Sequence, residues 1–403
     1  MITFKRSAAV VIAAAAALTL AGCGSETGGS SADAGGSNGD SVKIMVFGSF
    51  TQPPFALSQV KEAAEAAVAY VNANGGAGGS QIELLSCDDN MTADGAANCG
   101  NKAASEGAAA VVGSFSLFGD AIVPILETAG IPYILPTAIS ELDVTSDQTF
   151  AIMSSGTPLA AALPLLKDQG CESVVLTASD NPQSRGNLDA YGIPAAEAAG
   201  VELTFVGYPA NTTDYTTVAQ QVADVSNCII YGGGAPDSAA IITAISQLDG
   251  EFINMPLSTV AFPETILADL GAAAEGVQVP STYTFPSTGG EAITTAIEEM
   301  HKVNPNITID DPALNAYAAV LTFAEAADLV DGPITAEAIT AVLSDPATVI
   351  DTGLYPPTTF AEKFGWFPAA PRVAGSFFQV YEAKDGAYIP LGEWVDVSES
   401  LTF

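Results

Sequence analysis

Positive charge is what this 403-residue chain lacks. Its 46 Asp and Glu are an ordinary complement, but only 11 Lys and Arg oppose them, leaving a formal net charge of −35. A surface this negative repels phosphate backbones, so nucleic acid is excluded as a partner. Histidine is almost absent too. The single His301 lies late in a polar helical stretch beside Glu298, Glu299 and Lys302. Counting alone therefore removes a multi-His metal site and a His-based hydrolase. No GxSxG elbow, Walker loop or GxGxxG after a strand occurs. The glycines of Gly75–Gly79 follow a helical stretch and precede a strand, the wrong order for a phosphate cradle. Asp88-Asp89-Asn90 opens like a calcium loop but lacks the sixth-position glycine and the closing glutamate, so helix capping explains it better. No enzyme activity, cofactor or metal is expected; a carboxylate-pair hydrolase is the catalytic reading that composition leaves open.

Cysteine is scarce, five in all, and no CxxC pair exists. The first, Cys23, closes a leader. Lys5 and Arg6 precede the apolar run Ala8–Leu20, which is too short and Ala-rich for a comfortable membrane span. Leu20-Ala21-Gly22-Cys23 resembles the lipobox of bacterial lipoprotein signal peptides. That resemblance implies removal of residues 1–22 and lipidation of Cys23, tethering the exported chain to the outer face of the cytoplasmic membrane. Residues 23–41, rich in Gly, Ser and Ala, have too little apolar bulk to fold and read as a flexible tether. Export and four remaining cysteines suggest two disulfides. Three pairings are possible; Cys87–Cys99, a local loop, and Cys171–Cys228 are preferred.

About 360 residues remain, enough for two domains with proper cores. Buried strands alternate with helical stretches in two series, from Val42–Gly48 to Phe150–Ser154 and from Thr157 to Leu270; in the second, Ser179–Arg185 and Gly232–Asp237 read as loops and Met255–Val260 as a strand. That cadence predicts an α/β fold of two doubly wound parallel-sheet lobes. Gly276–Phe285 reads as extended, three helical stretches follow, and Ser376–Ala383 with Ala387–Leu391 reads as a hairpin around Lys384-Asp385-Gly386. The expected organisation is lobe 1 at 42–154 plus about 284–345, and lobe 2 at 155–283 plus about 346–403.

The stretch Ala108–Ser140 is the candidate site. Two buried strands each end in a polar turn, Gly113–Ser116 and Pro136–Ser140, on the edge where open α/β sheets place ligands. Ser114, Ser116, Thr137 and Ser140 offer hydroxyls there, and Gly113 permits close backbone approach.

With LLSCDDN, VVGSFS, IPYILPTA, IIYGGGAPDSAAIITA and FFQVYEAKDGAYIPLG in this order, the chain resembles type I periplasmic binding proteins, specifically the branched-chain amino-acid receptors of ABC importers. The match extends from about Lys43 to Trp394. The resemblance implies two lobes joined by a three-stranded hinge that close on a small solute, with a membrane permease and ATPase as partners and a monomeric chain. It places Ser116, Leu117, Thr137, Ala138 and Ile139 around a solute carboxylate, beside Ser114, and Gln52 at the pocket rim. In the second lobe, Asn181, Tyr231, Gly234 and Thr259 fall on or near positions where the family carries tyrosines and an acid for the solute's ammonium. Two such tyrosines and the acid are missing, so the fold is better marked than an amino-acid solute; Asp180 or Asp237 could supply the carboxylate from another direction. A sensor for a membrane signalling partner would use the same solute chemistry.

Overall fold

The computed structural model describes residues 41–53, 56–361 and 367–401. The leader, Cys23 and the tether up to residue 40 lie outside the described residues. In chain order the first series is β1 (Val42–Gly48), α1 (Ser58–Ala73), β2 (Ile82–Asp88), α2 (Ala93–Glu106), β3 (Ala110–Val112), α3 (Gly119–Ala129), β4 (Tyr133–Ile134), α4 (Glu141–Thr145) and β5 (Thr149–Phe150). The second is α5 (Thr157–Asp168), β6 (Ser173–Ser179), α6 (Pro182–Asn187), α7 (Ile193–Ala199), β7 (Glu202–Tyr208), α8 (Thr216–Val225), β8 (Cys228–Tyr231), α9 (Ala235–Ile245), β9 (Ile253–Pro256) and α10 (Leu267–Leu270). The chain ends with β10 (Gln278–Ser281), α11 (Glu291–Val303), α12 (Asp311–Asp328), α13 (Ala336–Leu343), β11 (Phe377–Lys384), β12 (Ala387–Pro390) and β13 (Val395–Asp396).

Two parallel sheets result, ordered β2-β1-β3-β4-β5 and β7-β6-β8-β9. Each is covered on both faces, which is why its strands read as near-continuous apolar runs. In β1, Ile44 and Val46 point to the side where α1 and α12 pack, while Met45 and Phe47 point to α2 and α3. In β6, Val174 and Leu176 face the α5 and α7 side, and Val175 faces the α8 and α9 side. The preferred disulfides are both present: Cys87–Cys99 ties β2 to α2, and Cys171–Cys228 ties the segment after α5 to the start of β8.

A third, antiparallel sheet joins β10, β11 and β12, with β13 on β11. Asp385 (φ 51°) and Gly386 (φ 82°) turn its hairpin, as an Asp-Gly pair between apolar strands does. The chain passes between the parallel sheets three times: from β5 to α5, from β10 to α11, and between α13 and β11. These passages touch one another, with the Ala374 N–H donating to Ala151 O at 2.8 Å and the Thr284 N–H donating to Leu354 O at 2.8 Å.

Four sequence expectations shift. Ser179–Arg185 is not all loop, because Asn181 caps α6 by accepting from the Ser184 N–H at 2.9 Å and Pro182 takes its first position. Gly232–Asp237 is likewise cut short, since α9 begins at Ala235. Phe150–Ser154 pairs regularly only at Thr149–Phe150, beyond which isolated bridges link Ala151 to Val373 and Ser154 to Ala138. The strand expected over Met255–Val260 stops at Pro256; beyond it Ala261 and Phe262 donate back to Ser258 O in a turn.

Candidate functional site

Both parallel sheets reverse their strand order after their first strand, so each opens a crevice at its carboxyl edge. The two edges meet around a cleft of about 500 Å³. The first sheet contributes Phe115 and Leu117 after β3, and Thr137 and Ile139 after β4. The passage into the second sheet adds Met153, Ser154, Ser155 and Pro158. From the second sheet come Gln183 and Asn187 of α6, Gly232–Gly234 after β8, and Leu257, Ser258, Val260 and Ala261 after β9. Asp311 and Pro312 enter from the start of α12. An inner extension of about 190 Å³ runs toward Leu176, Ala178 and Tyr231. Size and makeup, apolar walls with a few polar groups, suit a small organic molecule.

The first-sheet rim is held from behind by α12. Gly113 at φ 57° sits so close that a Cβ there would lie 2.5 Å from the Ala316 Cα. Leu135 is also at positive φ (45°), a costly conformation for a leucine. Its N–H donates to Phe150 O at 2.8 Å and its carbonyl accepts from Asn315 Nδ2 at 2.7 Å, while the Tyr283 hydroxyl donates to the Asn315 oxygen. Those bonds fix the turn that presents Thr137.

The sequence profile of periplasmic binding proteins matches residues 41–371. The chain belongs to that family. Solved structures agree on the fold. An ABC transporter substrate-binding protein from Desulfitobacterium hafniense, in complex with Leu, is 20% identical with a TM-score of 0.65, covering 87% of this chain and 100% of its own. A fatty acid ABC transporter substrate-binding protein from Thermomonospora curvata is 16% identical, TM-score 0.69, covering 89% and 94%. A solute-binding protein from R. palustris in complex with benzoate is 15% identical, TM-score 0.66, covering 87% and 96%. No curated protein sequence matches the chain. The family is one of extracytoplasmic binding proteins rather than enzymes.

In this periplasmic binding protein, Leu117, Thr137, Ile139 and Gly234 line the cleft and Tyr231 its inner extension. The other expected residues stand behind the wall or away from it. Ser114 is fully buried and accepts from the Phe47 N–H at 3.2 Å. Ser116 donates to the buried Asp89 at 2.5 Å and accepts from the Phe118 N–H at 3.1 Å. Ala138 bridges to Ser154, Asn181 is spent as the α6 cap, and Gln52 is exposed next to Thr51. Thr259 exchanges two bonds with Asp311: its N–H donates to Oδ2 at 3.1 Å and its hydroxyl accepts from the Asp311 N–H at 2.9 Å. Asp180 is held by Arg185, and Asp237 accepts from the Tyr208 and Tyr215 hydroxyls at 3.0 and 2.6 Å. The carboxylate at the cleft is Asp311, the first residue of α12, which no sequence motif singles out.

Two buried carboxyls near the site make stability depend on pH. Asp143 accepts from the Ile139 and Ser140 N–H groups through Oδ2, and its Oδ1 has no hydrogen-bond partner among the described residues. Burial pushes Asp143 up to about 6, against the pull of those N–H bonds. Asp310 rises to about 6 for the same reason, though the Ala313 N–H and Gln59 amide oppose it. A carboxyl raised in the folded state favours the protonated form on folding. Its contribution is full below the unfolded pKa near 4 and is lost as pH rises through about 6. The ceiling is about 3 kcal/mol per group. Melting temperature is therefore expected to fall between about pH 4 and about pH 6, and to fall less in Asp143→Asn, which keeps the shape without the titration. An unchanged pH slope in that variant would show that Asp143 is not the source.

Proposed function

We propose that this periplasmic binding protein is a lipid-anchored receptor that captures a small amphipathic solute and delivers it to the permease and ATPase of an ABC importer. The observation that carries the reading is the largely apolar cleft of about 500 Å³ between the carboxyl edges of two sheets linked by three chain passages. Residues 42–154 with about 284–345 act as one lobe, and 155–283 with about 346–403 as the other. The three passages serve as the hinge, and the importer reads the closed form. The Leu, fatty-acid and benzoate proteins of the same fold support a solute with an apolar body. Leu117, Thr137, Ile139, Tyr231 and Gly234 are the expected residues closest to it.

A thermal-shift screen over amino acids, amides, amines, organic acids, alcohols and polyols tests this, because a bound solute stabilises the folded chain by mass action. At least one solute is expected to raise the melting temperature and to shrink the radius of gyration in small-angle scattering as the lobes close. A solute that raises the first without moving the second would refute closure. For the anchor, Cys23→Ala is expected to abolish incorporation of radiolabelled palmitate and to release the protein from membranes. Continued labelling would exclude Cys23 as the lipid site.

A further inference from the structure

We infer that the cleft selects an organic amine, a solute with an apolar body whose ammonium group meets the Asp311 carboxylate. This names the solute class of the receptor proposed above and rests on that reading. Among the described residues lining the cleft and its inner extension, Asp311 is the one charged side chain; no Lys, Arg or His joins it. It is only 4% exposed, and its oxygens accept from neutral donors, the Thr259 N–H at 3.1 Å and the Ser281 hydroxyl at 3.1 Å. A buried carboxylate without a cation is costly unless something supplies one.

The start of α12 does not neutralise it. A helix N-terminus carries about half a positive charge. Asp310, buried one residue earlier, adds a second carboxylate that accepts from the Gln59 amide at 2.9 Å and the Ala313 N–H at 3.0 Å. Two carboxylates against half a charge leave this end of the cleft negative.

The first-sheet rim of the cleft does not favour an anion either. Three of the donors near a solute carboxylate are already engaged inside the protein. The Ser116 hydroxyl donates to Asp89, and the Ile139 and Ser140 N–H groups donate to Asp143. A carboxylate entering here would lose water beside a like charge and find those donors occupied. An ammonium would gain a counter-charge, and its hydrocarbon would cover Phe115, Leu117, Ile139, Met153 and Leu257. The amide oxygens of Gln183 and Asn187 across the cleft can accept its remaining N–H bonds. A chain of net charge −35 also draws cations toward the opening.

Isothermal titration of the purified protein tests the assignment with three matched sets. These are hexylamine, hexan-1-ol and hexanoate; cyclohexylamine, cyclohexanol and cyclohexanecarboxylate; and 2-phenylethylamine, 2-phenylethanol and 3-phenylpropanoate. At least one amine is expected to bind about tenfold or more tightly than both of its partners. Asp311→Asn, which keeps the shape and can still accept a bond, is expected to erase that preference. The proposal is overturned if an alcohol or carboxylate matches its amine, if no amine binds, or if the preference survives in Asp311→Asn. The wild-type comparison decides the matter even where the variant folds poorly. Tight binding of a neutral or anionic solute with lobe closure would overturn the amine and leave the receptor standing. No binding by any solute in the wider screen would remove the receptor as well.

Discussion

Gly113→Ala is expected to cost about 2–5 kcal/mol of folding stability, measured by urea denaturation, and to weaken solute binding with it. Two separate penalties combine. At φ 57° a Cβ is strained against its own backbone, about 1–2 kcal/mol. The same Cβ would lie 2.5 Å from the Ala316 Cα and 3.1 Å from its carbonyl oxygen, both backbone atoms of a buried helix. They cannot rotate away as a side-chain tip would, so α12 must shift, and overpacking of this kind costs about 1–3 kcal/mol. The shift would carry Asp311 and Pro312 at the mouth of the cleft, which is why affinity is expected to fall as well. Gly130 separates the two penalties. It caps α3 at φ 66°, and nothing lies within 4 Å of the Cβ it would gain. Gly130→Ala should therefore lose only the backbone part, about 1–2 kcal/mol. Equal losses at the two positions would mean that α12 does not press on the turn.

The contrast between Gly113 and Asp311 shows what the sequence could disclose. Gly113 stands where a buried strand meets a polar turn, and that local pattern was enough to place it, with Thr137, at a ligand edge, while Leu117 and Ile139 came from the family resemblance. The alternating strands and helices announced both parallel sheets for the same reason: the period of burial is written into neighbouring residues. Asp311 has no such local mark. Asp310-Asp311-Pro312 reads as an ordinary helix start, and only the return of the chain brings Asp311 against Thr259 and Ser281 at the cleft. Ser116 failed in the opposite direction. Its hydroxyl suits a ligand, but Asp89, 27 residues earlier, has claimed it. Which donor is already spent depends on contacts between distant segments, and residue type does not report them. Asn181 was different again, because the Asn-Pro start of α6 was legible and the polar composition around it suggested a loop instead.

Removing Cys171–Cys228 is expected to destabilise the protein more than removing Cys87–Cys99. A cross-link restricts the unfolded chain in proportion to the logarithm of the loop it closes. The separations are 57 and 12 residues, which give about 4 and about 3 kcal/mol on the chain-entropy model. Packing adds to the difference. Cys171 and Cys228 are both buried in the core shared by α5, α7 and the second sheet, between Leu166, Val174 and Ile230. In the other pair Cys99 is fully buried, but Cys87 on β2 is only partly so. Cutting the longer link also frees the segment leading from α5 into β6, the first strand of the second sheet. Double Cys→Ser variants of each pair, unfolded in urea, should rank in this order, with the Cys171/Cys228 variant lower in midpoint. The solute then distinguishes a local from a global effect. Because Tyr231 at the end of β8 lines the inner extension, loosening Cys228 at its start should reduce affinity, whereas loosening α2 from β2 should leave the cleft unchanged. Reversal of the stability order would show that native packing around Cys99, rather than the length of the closed loop, governs what these bonds contribute.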